Sequence, residues 1–168
     1  TKPFWGMGVQ VAMRGKRRLL QSISIFLFVF LFCLGIRLMP SAKPSELGVI
    51  DGKLADCPSS PNCVSTGDPE KSHQISPLFF SGTPESALTK LVKVLSQMPR
   101  TRLVTQKDNY LHFECRSRIF QFVDDLEFYV DPQAKTIQIR SASRVGYSDF
   151  GVNRKRVEKI RSAFVKDG

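Results

Sequence analysis

The 168-residue chain holds only two histidines, His73 and His112, on separate stretches. A lone histidine is more often a packing or surface residue than a ligand, so neither is read as a metal ligand or a catalytic base. Nothing resembles a nucleophile elbow or an ordered Ser, His and Asp triad. There is no glycine-rich phosphate loop, no internal repeat and no low-complexity tract, which excludes nucleotide-loop enzymes and repeat architectures. Acidic residues are missing ahead of Glu46, whereas six of the 25 basic residues (Lys2, Arg14, Lys16, Arg17, Arg18, Arg37) precede Met39. The net charge of +10 therefore shrinks to a surplus of four over the rest, too weak to indicate a nucleic-acid partner. No cofactor and no metal are expected.

What the N-terminus does have is a basic cluster followed by an apolar run from Leu19 to Ile36, the pattern of an export signal or membrane anchor. A small-x-small cleavage site is poor, because a cut after Ala42 places Pro40 where a small residue is wanted. The reading adopted is an uncleaved single-pass anchor with the C-terminal domain exported; secretion after cleavage is the alternative. The expected organisation is a basic cytoplasmic N-terminus (1–18, with 1–12 ahead of Met13 read as an over-long start), an anchor (19–38), a linker (39–56) and an exported domain (57–166).

Cys57 and Cys63 bracket a turn-rich Cys-Pro-Ser-Ser-Pro-Asn-Cys loop. In an exported domain this pair is expected to form a disulfide rather than a metal site, since four-ligand zinc sites use a shorter spacing and a second ligand pair. Cys115, on a strand-like run, is expected to be a buried inert thiol.

Residues Gln74 to Phe80 suggest a first strand. Thr83-Pro-Glu-Ser86 is a helix start, with Thr83 as cap and Pro84 at the first helical position, and Ala87, Leu88, Leu91, Val92, Leu95 and Met98 recur at helical spacing up to Pro99. Strand-like runs follow at Arg102–Gln106, Tyr110–Ser117, Ile119–Val130 and Thr136–Val145, then a helix within Ser148–Val165 bearing Phe150, Val157, Ile160 and Phe164 on one face. The order strand, helix, four strands, helix indicates an α+β fold with a curved antiparallel sheet, resembling a helix-grip or TATA-box-binding-like architecture and enclosing a small cavity.

Alternation puts Phe120, Phe122, Asp124, Leu126, Phe128 and Val130 on one face, so Asp124 is an acid among apolar residues, with Asp125 on the other face. Ser141 and Ser143 share the Asp124 type of face, and Arg140 and Arg144 the Asp125 type. A buried carboxylate must be paired, hydrogen-bonded or protonated. Ser141, Ser143 or arginines of the last helix are the candidate partners, and Arg154 is free to reach a carboxylate if that helix starts early, at Ser148 or Asp149. The polar cluster Asp124, Asp125, Arg140, Ser141, Ser143, Arg144, Asp149, Asn153 and Arg154 is thus either an ion-pair network tying helix to sheet or a ligand site in which arginines grip an anion. The last helix carries Arg154, Lys155, Arg156, Lys159, Arg161 and Lys166 against Glu158, either a solvated face or a surface for anionic lipid headgroups.

Three motifs in order, Asp51-Gly-Lys-Leu-Ala-Asp-Cys-Pro-Ser-Ser-Pro-Asn-Cys-Val-Ser65, Phe122-Val-Asp-Asp125 and Ile139-Arg-Ser-Ala-Ser-Arg-Val-Gly-Tyr-Ser-Asp-Phe-Gly-Val-Asn-Arg154, resemble the bacterial and plastid family labelled domain of unknown function 1499, over roughly Gly52 to Phe164. The resemblance implies export or membrane association and brings no activity, cofactor or catalytic residue; Cys57, Cys63, Gly146 and Gly151 join the polar residues above as motif positions. The function expected is a non-catalytic binding module for an anionic lipid or other amphiphile at the membrane face. The alternatives are a hydrolase built on Asp124, Ser141 and Arg154, and a structural or assembly protein of the cell envelope.

Overall fold

The computed structural model describes residues 20–31, 35 and 46–166, in two units, Thr1–Pro40 and Ser41–Gly168. In the first unit residues 20–31 are helical, with exposed apolar side chains such as Phe26 and Phe28. Among the described residues no helix is long and apolar enough to cross a membrane. The basic residues 1–18, the rest of the expected anchor at 19–38 and residues 39–45 of the expected linker lie outside the described residues.

The second unit is α+β. Its order is β1 (Val49–Ile50), β2 (Lys53–Leu54), β3 (Cys63–Thr66), β4 (Gln74–Ile75), β5 (Leu78–Phe79), α1 (Pro84–Ser96), β6 (Thr101–Lys107), β7 (Tyr110–Arg116), β8 (Val123–Asp131), β9 (Thr136–Ser143) and α2 (Val152–Lys166). The main sheet runs β4-β3-β9-β8-β7-β6, with β5 also pairing β9. It is mixed rather than wholly antiparallel, because β3 and β4 pair in parallel. Strand β3 lies outside the strands that the sequence pattern predicts, and the first expected strand is two short pieces, β4 and β5, separated at Ser76 and Pro77. Within the stretch read as linker, β1 and β2 pair as a hairpin turning at Asp51 and Gly52, both in the left-handed region, and Leu54 is buried.

Helix α1 forms where its capping residues place it: Thr83 Oγ1 accepts from Ser86 N at 3.2 Å and Pro84 occupies the first turn. It buries Ala87, Leu88, Leu91, Val94 and Leu95, Val94 taking the place expected for Val92. On the sheet, Leu111 faces Phe128, Phe113 faces Leu126, and Phe128 faces Ile139 across strands. With Val130 and Ile137 they meet α1 and the Val157, Ile160 and Phe164 face of α2 in one core. Leu91, Leu95, Leu111, Leu126, Phe128, Val130, Ile137, Ile139, Val157 and Ile160 are wholly buried there, so the space between sheet and helices is filled and the cavity expected in it is not seen among the described residues. An open depression of about 510 Å³ lies elsewhere, lined by Gly48, Val49, Lys107, Tyr110 and Tyr129 among others.

Two boundaries differ from the sequence reading, for local reasons. Strand β8 starts at Val123, not Ile119, because Ser117 N donates to Phe122 O at 2.9 Å, Phe122 N donates to Ser117 Oγ at 3.0 Å and Gln121 adopts a positive φ, closing a hairpin loop over 117–122. Helix α2 starts at Val152, after Phe150 takes a positive φ and is left 88 % exposed. Phe150 therefore does not extend the helix stripe.

Candidate functional site

On the helix-covered face, Asp124 sits opposite Ser143 in the β8–β9 pairing, with Ser141 two residues along β9. Asn153, in the first turn of α2 and wholly buried, ties this group together. Its Nδ2 donates to Asn62 O at 2.9 Å and Ser143 Oγ at 3.0 Å, and its Oδ1 accepts from Ser141 Oγ at 2.6 Å and from Arg156. Arg156 also donates to Ser141 Oγ at 3.1 Å and to Asp124. Asp149 organises the helix start, accepting from Gly151 N at 2.9 Å and Asn153 N at 2.7 Å, which also places an anion at the positive end of the helix dipole. Arg154 is elsewhere: its guanidinium donates to the carbonyls of Gln74 and Ser72 at 2.9 and 2.7 Å, pinning α2 to β4. The carboxylate partner is Arg156, not Arg154, and Asn62 is a member that sequence reasoning missed. Ser141 is buried and its hydroxyl is committed to Asn153, so Asp124, Ser141 and Arg154 do not converge as a hydrolase would need.

The opposite face is unexpectedly charged inside. Arg144 forks onto Asp125, Nε to Oδ2 at 2.8 Å and Nη2 to Oδ1 at 2.7 Å, and reaches Glu114 Oε1 at 2.8 Å. His112 Nε2 lies 2.7 Å from Asp125 Oδ1, and Arg102 caps Glu114 at 2.9 Å. Two residues further along β8, Glu127 accepts from Arg140 Nη1 at 2.9 Å, Tyr110 OH at 2.8 Å and Gly48 N at 2.8 Å. Arg140 Nε is the one buried side-chain polar atom without a partner among the described residues. The β1–β2 hairpin lies against this face: besides the Gly48 bond, Gln138 Nε2 donates to Gly52 O at 3.0 Å.

The electrostatics follow from these contacts. Burial works against ionising Asp125, but the Arg144 and His112 hydrogen bonds outweigh it and hold the carboxyl below its ordinary range. Glu114 is likewise held low, burial being outweighed by Arg102 and Arg144. The Asp125 hydrogen bond pushes the Arg144 guanidinium up, burial and then Glu127 push the Tyr110 phenol up, and burial pushes the Cys115 thiol up. Asp125 and His112 are 0 % and 1 % exposed, so the pair has the chemistry of a brace rather than of a base offered to a substrate. Asp124 and Asp125, adjacent in sequence, belong to two networks on opposite faces.

The third group is the cysteine loop. The expected Cys57–Cys63 disulfide is present, with Cα atoms 5.6 Å apart, and Cys115 is free and buried. Asp68 folds back under the loop, its Oδ2 accepting from Cys57 N at 2.7 Å and its Oδ1 from Glu70 N at 3.0 Å, while His73 Nδ1 lies 3.5 Å from Oδ1. Ligand atoms of Cys57, Asp68 and His73 all lie within 4.8 Å of one another. In the sequence His73 is an isolated histidine; no local spacing signals this meeting, because the β3–β4 pairing creates it.

At one end of the sheet the β7–β8 loop and the β9–α2 connection emerge side by side, since Arg116 pairs Val123 and Arg144 N donates to Val123 O at 3.1 Å. They expose Ile119, Phe120, Phe122, Val145, Tyr147 and Phe150, and the Phe120 and Phe122 rings stack with centroids 5.5 Å apart. Arg100, Arg102, Arg116 and Arg118 lie at the same end, where Arg116 N donates to Arg100 O at 3.0 Å.

No curated protein matches the chain. A family model does: residues 53–164, which contain both polar networks, the disulfide loop, the aromatic end and the main sheet, match the family described as protein of unknown function (DUF1499), and the chain belongs to that family.

Proposed function

We propose that the Ser41–Gly168 unit is a non-catalytic module that docks on an anionic lipid surface through the end of the sheet bearing Phe120, Phe122, Tyr147 and Phe150. The observation that carries this is the exposure of six apolar side chains on two adjacent loops beside four arginines, two of which, Arg102 and Arg116, are ion-paired with Glu114. Aromatic side chains favour the headgroup region of a bilayer, and each basic residue near an anionic leaflet adds about 1 kcal/mol. Inserting one such apolar side chain contributes roughly 1.5–3 kcal/mol when burial is complete and less in the interfacial region. Together these give reversible docking. Because the core is filled, a lipid would be met at the surface rather than swallowed. The basic and apolar N-terminal sequence supports placing the unit beside a membrane.

The test is depth-dependent quenching. The full chain carrying Phe120→Trp is reconstituted with brominated lipids, with and without anionic headgroups, and compared with the chain without the new tryptophan, which retains only Trp5. Added quenching that requires anionic lipid is the expected result. Equal emission in both lipids would remove the lipid reading and leave the assembly role.

A further inference from the structure

Three potential ligands, Cys57, Asp68 and His73, are brought together by the fold, not by their spacing, and a fourth, Cys63, is joined to Cys57 by the disulfide. Strand β3 starts at Cys63, and its parallel pairing with β4 sets Ser65 beside Gln74, with Ser65 N donating to His73 O at 3.0 Å. The imidazole that precedes β4 is thereby delivered next to the disulfide. Asp68 is held there by the Cys57 amide. Asp68 and His73 are 2 % and 3 % exposed and their ligand atoms lie within 4.8 Å of Cys57 Sγ, so a carboxylate and an imidazole are buried against sulfur.

We propose that reduction of the Cys57–Cys63 disulfide turns this loop into a four-ligand zinc site made of Cys57, Cys63, Asp68 and His73. A dithiol supplies the two electrons and two protons: the S–S bond breaks, the dithiol becomes a disulfide, and Cys57 and Cys63 become thiols. Zinc then displaces both thiol protons, the imidazole binds through a ring nitrogen in its neutral form, and the carboxylate binds through oxygen. Two thiolates and a carboxylate against Zn²⁺ leave one negative charge, which suits a mixed S, N and O tetrahedral ion without redox chemistry of its own. Bonds of about 2.0–2.3 Å place tetrahedral ligands roughly 3.3–3.8 Å apart. The Cys57, Asp68 and His73 atoms, within 4.8 Å of each other, need to close by only about an ångström. In the oxidised protein the sulfurs are bonded to each other and do not act as thiolate ligands, so the same residues alternate between a covalent and a metal-held closure of the loop.

The experiment uses the full chain in a Cys33→Ser, Cys115→Ser background, so that only the loop thiols report. One portion is reduced with a phosphine that is then removed, the other is left oxidised, and each is titrated with Co²⁺ and then Zn²⁺ without oxygen. The reduced chain is expected to take up one Co²⁺ with tetrahedral and thiolate-to-cobalt absorption, which zinc bleaches, and the oxidised chain none. His73→Gln and Asp68→Asn should each weaken binding at least about tenfold while leaving both thiols in place. Failure of the reduced chain to bind, or binding equal to that of a Cys57→Ser, Cys63→Ser chain, overturns the site. Undiminished binding by His73→Gln and Asp68→Asn overturns the four-ligand assignment, since the two thiolates would then act alone. None of these outcomes depends on lipid docking.

Discussion

The two faces of the sheet are built from the same strands, β7, β8 and β9, one residue out of step, yet they bury polarity in different ways. Towards the helices, apolar side chains fill the space, and the polar group at its edge, Asp124 with Ser141, Ser143, Asn153 and Arg156, is mostly neutral and converges on a single asparagine. Away from the helices there is hardly an apolar core: Glu114, Asp125 and Glu127 are neutralised by Arg102, Arg144 and Arg140, with His112 and Tyr110 completing the contacts. A buried charge network adds little net stability over well-packed apolar residues, but it is intolerant of losing one member. The difference teaches that burial alone does not mark a core as forgiving. The charged face should fail by single deletions and the helix face by packing.

The largest expected effect is therefore Arg144→Ala, which leaves the wholly buried Asp125 with His112 alone and Glu114 with only Arg102 and Arg116, and should lower unfolding free energy by about 3–5 kcal/mol in urea denaturation. Pairing Arg144→Leu with Asp125→Leu should recover part of that loss. A loss below about 1 kcal/mol for Arg144→Ala would show that water reaches the network and would break the contrast between the faces. The same network is readable through pH. Asp125 and Glu114 have folded-state values held below the ordinary range, so the unfolded chain takes up protons first as pH falls. Their contribution is complete above about pH 5, erodes as pH passes the ordinary carboxylate range near 4 and is gone below the folded values. Thermal melts from pH 7 down to 3 should show Tm falling steeply below about pH 4.5 in the native chain and less steeply in the paired leucine variant.

On the helix face the Asp124 and Arg156 side chains keep 10 % and 12 % exposure, so water softens their loss. Arg156→Leu should cost about 1–3 kcal/mol, less than Arg144→Ala, by the same denaturation assay. Equal costs would mean that the two faces are bound by one kind of interaction.

Much of this architecture is legible in the sequence. Alternation assigns Asp124 to the helix-covered face and Asp125 to the other, and the pairings Asp124 with Ser143 and Asp125 with Ala142 follow that parity. The cap and stripe of α1 and the disulfide are equally local, because a turn, a helix start or a six-residue loop is specified by neighbours in the chain. The ends of elements carry a weaker local signal. Ile119 to Phe122 has strand composition but closes a loop, since Gln121 leaves the extended region.

What the sequence by itself determined was periodicity: which faces of β8, β9 and α1 are apolar, and which residues on them are out of character. Only the tertiary structure decided the partners. An α-helix turns about 100° per residue, so the two-residue difference between Arg154 and Arg156 points their side chains about 200° apart, and the turn at Phe150 and Gly151 sets which one meets Asp124. His73 came to the disulfide through a parallel strand pairing, and Gly48 to Glu127 across 79 residues of chain. Such contacts carry no local signal, because their free energy depends on where other elements have already packed.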